Sequence, residues 1–176
     1  MAKPKSSRYQ RRWTLRLFEW GVLACVLLIL TGVFLRKVRH LQCEAERLTV
    51  QATIDNLRTA VLLASVFHKE NERVCRNARP GGNPAALLTA ETGLAPEGYR
   101  GAADDVDPAA VAPGAWYFDR ATKTLIYRVR CAEGFQSPLS GPARIRLCLR
   151  RAHLSATNAM PLVVEPCESY AWGDSD

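Results

Sequence analysis

Residues Leu17 to Leu35 read LFEWGVLACVLLILTGVFL, an apolar run whose single charge, Glu19, stands at its third position. At 1.5 Å rise per residue, these nineteen residues make a helix of about 28 Å, close to the hydrocarbon thickness of a bilayer. Inside lipid an isolated segment can satisfy its own backbone hydrogen bonds only as a helix. The competing fold is a buried helix of a soluble core, but such helices seldom run this far without a charge. The run therefore predicts one transmembrane helix.

Its flanks predict the orientation. Residues 1–16 carry Lys3, Lys5, Arg8, Arg11, Arg12 and Arg16 and no acid, whereas Arg36, Lys37 and Arg39 beyond the run are soon followed by Glu44 and Glu46. Basic residues beside a span favour the cytoplasm, which puts the N-terminus inside and residues 36–176 outside. A cleaved secretory signal is the other reading of a basic start and an apolar core. The run is longer than a usual signal core, and LRKVRH follows it where a small-x-small cleavage site would stand. Trp13, Trp20 and Phe34 fall near the ends of the span, where aromatic rings favour the interface.

Glu19 is the one costly residue of the span, since a carboxylate in hydrocarbon needs a partner or access to water. Arg16, three residues earlier on the same helical face, is the partner that the helix itself offers. A positive group on a neighbouring subunit is the alternative, which makes Glu19 the candidate subunit-contact residue.

The formal charge of +7 is concentrated in the tail: removing its six cations leaves 18 basic and 17 acidic residues. The body is thus nearly neutral, and no basic stripe with interleaved aromatics predicts nucleic-acid binding. Outside the span there is room for one small domain, whose modest core would benefit from covalent staples. Cys25 lies in the span and reads as a small apolar residue. Cys43, Cys75, Cys131, Cys148 and Cys167 all lie beyond it, as an oxidising compartment would suit. Five is odd, and Cys43, near the membrane, reads as the one left over. Cys75, Cys131, Cys148 and Cys167 are then the disulfide candidates, with their pairing open. No CxxC or histidine-spaced pair points to zinc or to thioredoxin-like chemistry.

No glycine or proline interrupts residues 33–79, and the helical pattern continues past Arg39. Leu41, Ala45, Leu48 and Ala52 form one row; Val50, Ile54, Leu57, Val61 and Ala64 form a second, one face over. From Thr59 to His68, TAVLLASVFH, the pattern is apolar nearly all round, which predicts that this part lies under a cover, the sheet. A helix from about Leu15 to about Arg73 would be about 90 Å long. Arg79-Pro80-Gly81-Gly82 ends it, and Asn83-Pro84 caps a short second helix. Residues 92–114, rich in Pro and Gly, read as an irregular loop. Its Asp104, Asp105 and Asp107 lack the spacing of an EF-hand calcium loop and read as solvated.

Ala115–Asp119 and Thr124–Arg130 read as an antiparallel hairpin, Arg144–Arg150 alternates cleanly as a third strand, and Met160–Glu165 makes a fourth. Residues 133–142 read as a loop and the final YAWGDSD as loose. The expected fold is α+β: a long N-terminal helix packed against a small antiparallel sheet. Its parts are a basic cytoplasmic tail (1–16), the span (17–35), a periplasmic continuation of the helix (36–74), a short helix and loop (75–114), the sheet (115–170) and a loose tail (171–176).

This layout resembles type IV pilin-like proteins, and in particular the pseudopilins of type II secretion. Four features carry the resemblance: Trp13-Thr14-Leu15 followed by an acid and an unbroken apolar helix; the long helix half in membrane and half under strands; Asn83-Pro84 with Leu87-Leu88; and the hairpin AWYFDRATKTLIYRV. It spans residues 13 to about 130. The resemblance implies a non-enzymatic protein that takes part in assembling a type IV pilus or secretion pseudopilus, its partners being the membrane and other pilin-like subunits or secretion-machine proteins. It also gives Glu19 a role in contacting a neighbour's N-terminal amine. The family's peptidase cuts after a glycine, but here Arg12 precedes Trp13 and Thr14 precedes Leu15. The expectation is therefore an unprocessed, minor or accessory member.

Gly21 and Gly32 permit close helix approach but are not at GxxxG spacing. The alternative is a membrane-anchored periplasmic binding or scaffold protein unrelated to filaments. An enzyme is the weakest reading. His40, His68 and His153 show no nucleophile–base spacing and no paired carboxylate is evident, so no catalytic residue, cofactor, metal or small-molecule substrate is expected.

Overall fold

The computed structural model describes residues 7–67, 77–152 and 161–173, and these divide between two compact units, Met1–Gln42 and Cys43–Asp176. One helix, α1 (Ser7–Phe67, 61 residues), contributes to both. The expected end of this helix at Arg73 lies outside the described residues, as do Cys75, His68 and His153.

In the second unit the period of the apolar residues dictates the packing. Val50, Ile54, Leu57, Val61 and Ala64 recur every three or four residues, and every one is buried, together with Ala60. They pack in one core with Trp116, Phe118, Leu125, Tyr127, Val129, Ile145, Leu147, Leu149 and Val164 from the sheet. The second helix, α2 (Pro84–Thr92), closes one end of this core with Ala85, Leu87 and Leu88. Its predicted cap is present: Asn83 Oδ1 accepts from Ala85 N at 3.0 Å and Ala86 N at 3.4 Å, and Pro84 opens the first turn. Gly93, at φ 74°, ends the helix in the left-handed conformation, its N–H donating to Thr89 O at 2.9 Å. The preceding turn needs Gly82, because a Cβ there would run into the Asn77 carbonyl.

The strands are β1 (Tyr99–Ala103), β2 (Trp116–Asp119), β3 (Thr124–Arg128), β4 (Phe135–Gln136), β5 (Arg144–Arg151), β6 (Leu162–Pro166) and β7 (Ala171–Trp172). A five-stranded sheet has the order β1-β2-β3-β5-β6, and β4 and β7 form a second pair. The hairpin, the third strand and the fourth lie where the alternation places them. Three expectations are corrected. The sheet is mixed, not antiparallel, because β1 runs parallel to β2, with Tyr99 beside Trp116. That strand lies inside the stretch expected to be a loop. Its glycines at 98 and 101 sit at φ 75° and 96°, conformations that only glycine takes freely, so the residues that looked like turn punctuation serve an irregular strand. The segment 133–142 and the tail also hold structure. β4 pairs with β7, and Phe135, Tyr170 and Trp172 cluster with ring centroids 5.3–6.0 Å apart.

Candidate interaction surface

In the first unit, the side chains from Leu17 to Leu35 are exposed along the helix, among them Phe18, Trp20, Leu28, Ile29 and Phe34. A helix of this length and hydropathy, with none of its apolar window covered by the protein, fits a membrane anchor. Glu19 makes no ion pair among the described residues, and the pair with Arg16 that the helix offered is not formed. Gly21 and Gly32 have open space where a Cβ would stand, and Cys25 is free and exposed.

In the second unit two devices determine which side of α1 meets the sheet. The first is covalent: Cys43 on α1 is bridged to Cys131, just past β3, with the Cα atoms 5.5 Å apart. This corrects the expectation that Cys43 is the odd cysteine. Chain distance was misleading, because β3 leads back along the helix and delivers Cys131 to it. The second device is Glu46, one turn further along. Its Oε1 accepts from Tyr127 Oη at 2.8 Å and from Arg130 N at 2.7 Å, and its Oε2 accepts from Cys131 N at 2.8 Å. A carboxylate taking two backbone N–H groups and a phenol fastens the end of β3 to the helix. Burial and the Glu46 hydrogen bond together raise the Tyr127 phenol above its ordinary range, burial being the larger cause. At the other end of the contact, Arg58 donates from Nε to Val164 O at 3.3 Å and pairs with Asp55 at 2.9 Å.

With one row held against the sheet, the other row has no cover. Ala45, Leu48 and Ala52 are exposed, Leu48 at 69%. The apolar segment that begins at Thr59 lies under the sheet on one side, where Ala60, Val61 and Ala64 are buried, but the cover is incomplete: Leu62 is 53% exposed. The sheet is one layer wide, so it can shield only one side of a cylinder about 10 Å across. Beside Leu63, residues Ala60, Leu88, Ala95, Pro96 and Glu97 line an open groove of about 350 Å³, and Leu94 on its edge is 73% exposed. Leu41, in the first unit, is also exposed.

Of the disulfide candidates, Cys148 and Cys167 pair across β5 and the residue after β6, with Cα atoms 5.3 Å apart; Cys131 pairs with Cys43, and Cys75 lies outside the described residues. Two bridges fit an oxidising compartment. Of the aspartates of the long loop, Asp104 meets Arg120 at 3.2 Å, and Asp107 accepts from Ala109 N at 2.8 Å. Among the described residues no three His, Cys, Asp or Glu side chains converge as metal ligands would.

Compared with known protein families, with characterised proteins and with solved structures, the chain matches none. Its own surface offers an apolar helix that fits lipid, and an apolar row beside it in sequence that the domain leaves uncovered.

Proposed function

We propose that the protein is a non-enzymatic, single-pass inner-membrane component of the pilin-like kind, with its N-terminus cytoplasmic and the sheet domain periplasmic. In this reading it joins other pilin-like or secretion-machine subunits by side-to-side packing of α1, as an unprocessed minor or accessory member of a pilus or pseudopilus. The observation that carries the reading is the division of labour on α1. One apolar row is spent on the protein's own sheet, and the other, Ala45, Leu48 and Ala52, is left facing water. A protein that worked alone would gain from polar residues there, because uncovered Leu on a helix favours association. A further feature supports it: the basic-before-span charge asymmetry.

The test is the size of the full chain extracted in a mild detergent. Native mass should exceed that of one copy, and Leu48→Asp should reduce it to one copy while leaving the melting temperature within about 2 °C, since an exposed substitution costs little folding energy. An assembly whose size Leu48→Asp does not change would refute the proposal.

A further inference from the structure

The face of the sheet turned away from α1 carries an arrangement that the assembly reading does not use. Among the residues that alternate with the core positions of β2, β3 and β5 are Tyr117, Ile126, Arg128, Arg144 and Arg146. Arg128 and Arg144 stand directly opposite one another in the β3–β5 ladder. Like charges in that position repel. Arg146, the next outward residue of β5, is matched by the protein itself, through an ion pair with Glu168 and an Nε contact of 3.2 Å to the same carboxylate. Arg128 and Arg144 have no such carboxylate among the described residues: their Nη1 atoms donate only to carbonyls, Arg128 to Ala143 O at 3.0 Å and Arg144 to Ser140 O at 2.9 Å and Pro142 O at 3.1 Å.

Two donors on this face are left without acceptors. The Nε of Arg128 is buried and unpartnered. So is the hydroxyl of Tyr117, a residue only 3% exposed. Tyr117 lies opposite Ile126, so it is diagonal to Arg128 on this face. Its phenol is held above the ordinary range chiefly by burial, with Arg144 and Arg128 pulling it down and Asp119 and Asp107 pushing it up. Those two acids are engaged elsewhere. Asp119 accepts from Ala121 N at 2.9 Å and Thr122 Oγ1 at 2.6 Å, and Asp107 from Ala109 N. A buried donor without an acceptor costs on the order of 1–3 kcal/mol. Two such donors beside a like-charged pair call for one negatively charged acceptor.

We infer that Tyr117, Arg128 and Arg144 bind a small oxyanion, a phosphate or a carboxylate. The anion takes the Tyr117 O–H and the Arg128 Nε–H and offsets the repulsion between the two guanidinium groups. Both arginines keep some exposure whereas the two donors are sealed, so the anion enters beside the arginines and the Arg128 side chain shifts to present its Nε–H. The inference stands on residues remote from the uncovered row of α1 and does not depend on assembly.

The experiment is thermal unfolding of the full chain in detergent, titrated with sodium phosphate and, separately, with sodium acetate, against sodium chloride at matched ionic strength. Binding to the native state raises the midpoint progressively with anion concentration. The expected result is such a rise with phosphate, acetate or both, beyond that in chloride. Arg128→Gln should weaken the apparent affinity by about tenfold or more, Tyr117→Phe should weaken it less, and Arg150→Gln, an exposed change further along β5, should leave it unchanged. Because the first two variants can lower the midpoint on their own, the quantity compared is the increment that the anion produces in each. Equal increments in phosphate, acetate and chloride would mean that water fills the place, and would overturn the inference. So would an undiminished increment in Arg128→Gln.

Discussion

Glu46 illustrates how much a single carboxylate can organise. Its three hydrogen bonds, to Tyr127 Oη and to two backbone N–H groups, hold the end of β3 on the helix beside the Cys43–Cys131 bridge. Glu46→Gln keeps the shape but replaces an acceptor oxygen with a donor that faces N–H groups. It is expected to cost about 1–3 kcal/mol, read as a lowered denaturant midpoint. Tyr127 adds a pH dependence of definite sign. Burial, aided by Glu46, raises its phenol in the folded state, so its contribution is complete below the unfolded value near 10 and is lost as the pH climbs above it. Stability should fall between pH 10 and 12, and Tyr127→Phe should flatten that fall in an alkaline melting series. An unchanged slope in the variant would show that other groups govern the alkaline limb.

At the scale of elements, α1 is held by its buried row. Leu57 is fully buried, so Leu57→Ala should cost about 2–5 kcal/mol, whereas Leu48→Ala, on the uncovered row, should cost well under 1 kcal/mol. A urea melt of each variant distinguishes the two rows. The bridges differ in the same spirit. Cys43–Cys131 closes 88 residues and Cys148–Cys167 closes 19. Loop entropy then gives about 4–5 kcal/mol for the first and about 3 kcal/mol for the second, so replacing the Cys43–Cys131 pair by alanines should lower the melting temperature more.

The elements that could be read in advance are those with a local cause. The two rows of α1 follow from the helical period, the start of α2 from Asn83-Pro84, and β2, β3 and β5 from aromatic content and alternation. What escaped notice depends on partners distant in the chain. β1 is a strand because β2 lies beside it, despite Gly98 and Gly101. Strands β4 and β7 are two residues each and exist through the cluster of Phe135, Tyr170 and Trp172. The Cys43–Cys131 bridge and the role of Glu46 required knowing where β3 ends in space. Even so, the uncovered row was already visible as Leu41, Ala45, Leu48 and Ala52; only its lack of cover awaited the structure.

For the whole molecule, the account joins a lipid-seeking helix to a disulfide-braced domain that presents an apolar row. The first part predicts that the chain stays with the membrane pellet after carbonate extraction and that protease added to spheroplasts degrades residues beyond the span. The central claim is that the row containing Leu48 is a subunit contact. The most direct measurement places a photo-crosslinking amino acid at position 48 of the full chain in its native cells, and at position 120, in the exposed turn between β2 and β3, as the reference. The account predicts strong adducts from position 48 to another copy or to other single-span pilin-like subunits, and few from position 120. Position 48 yielding no adduct, or no more than position 120, would contradict it.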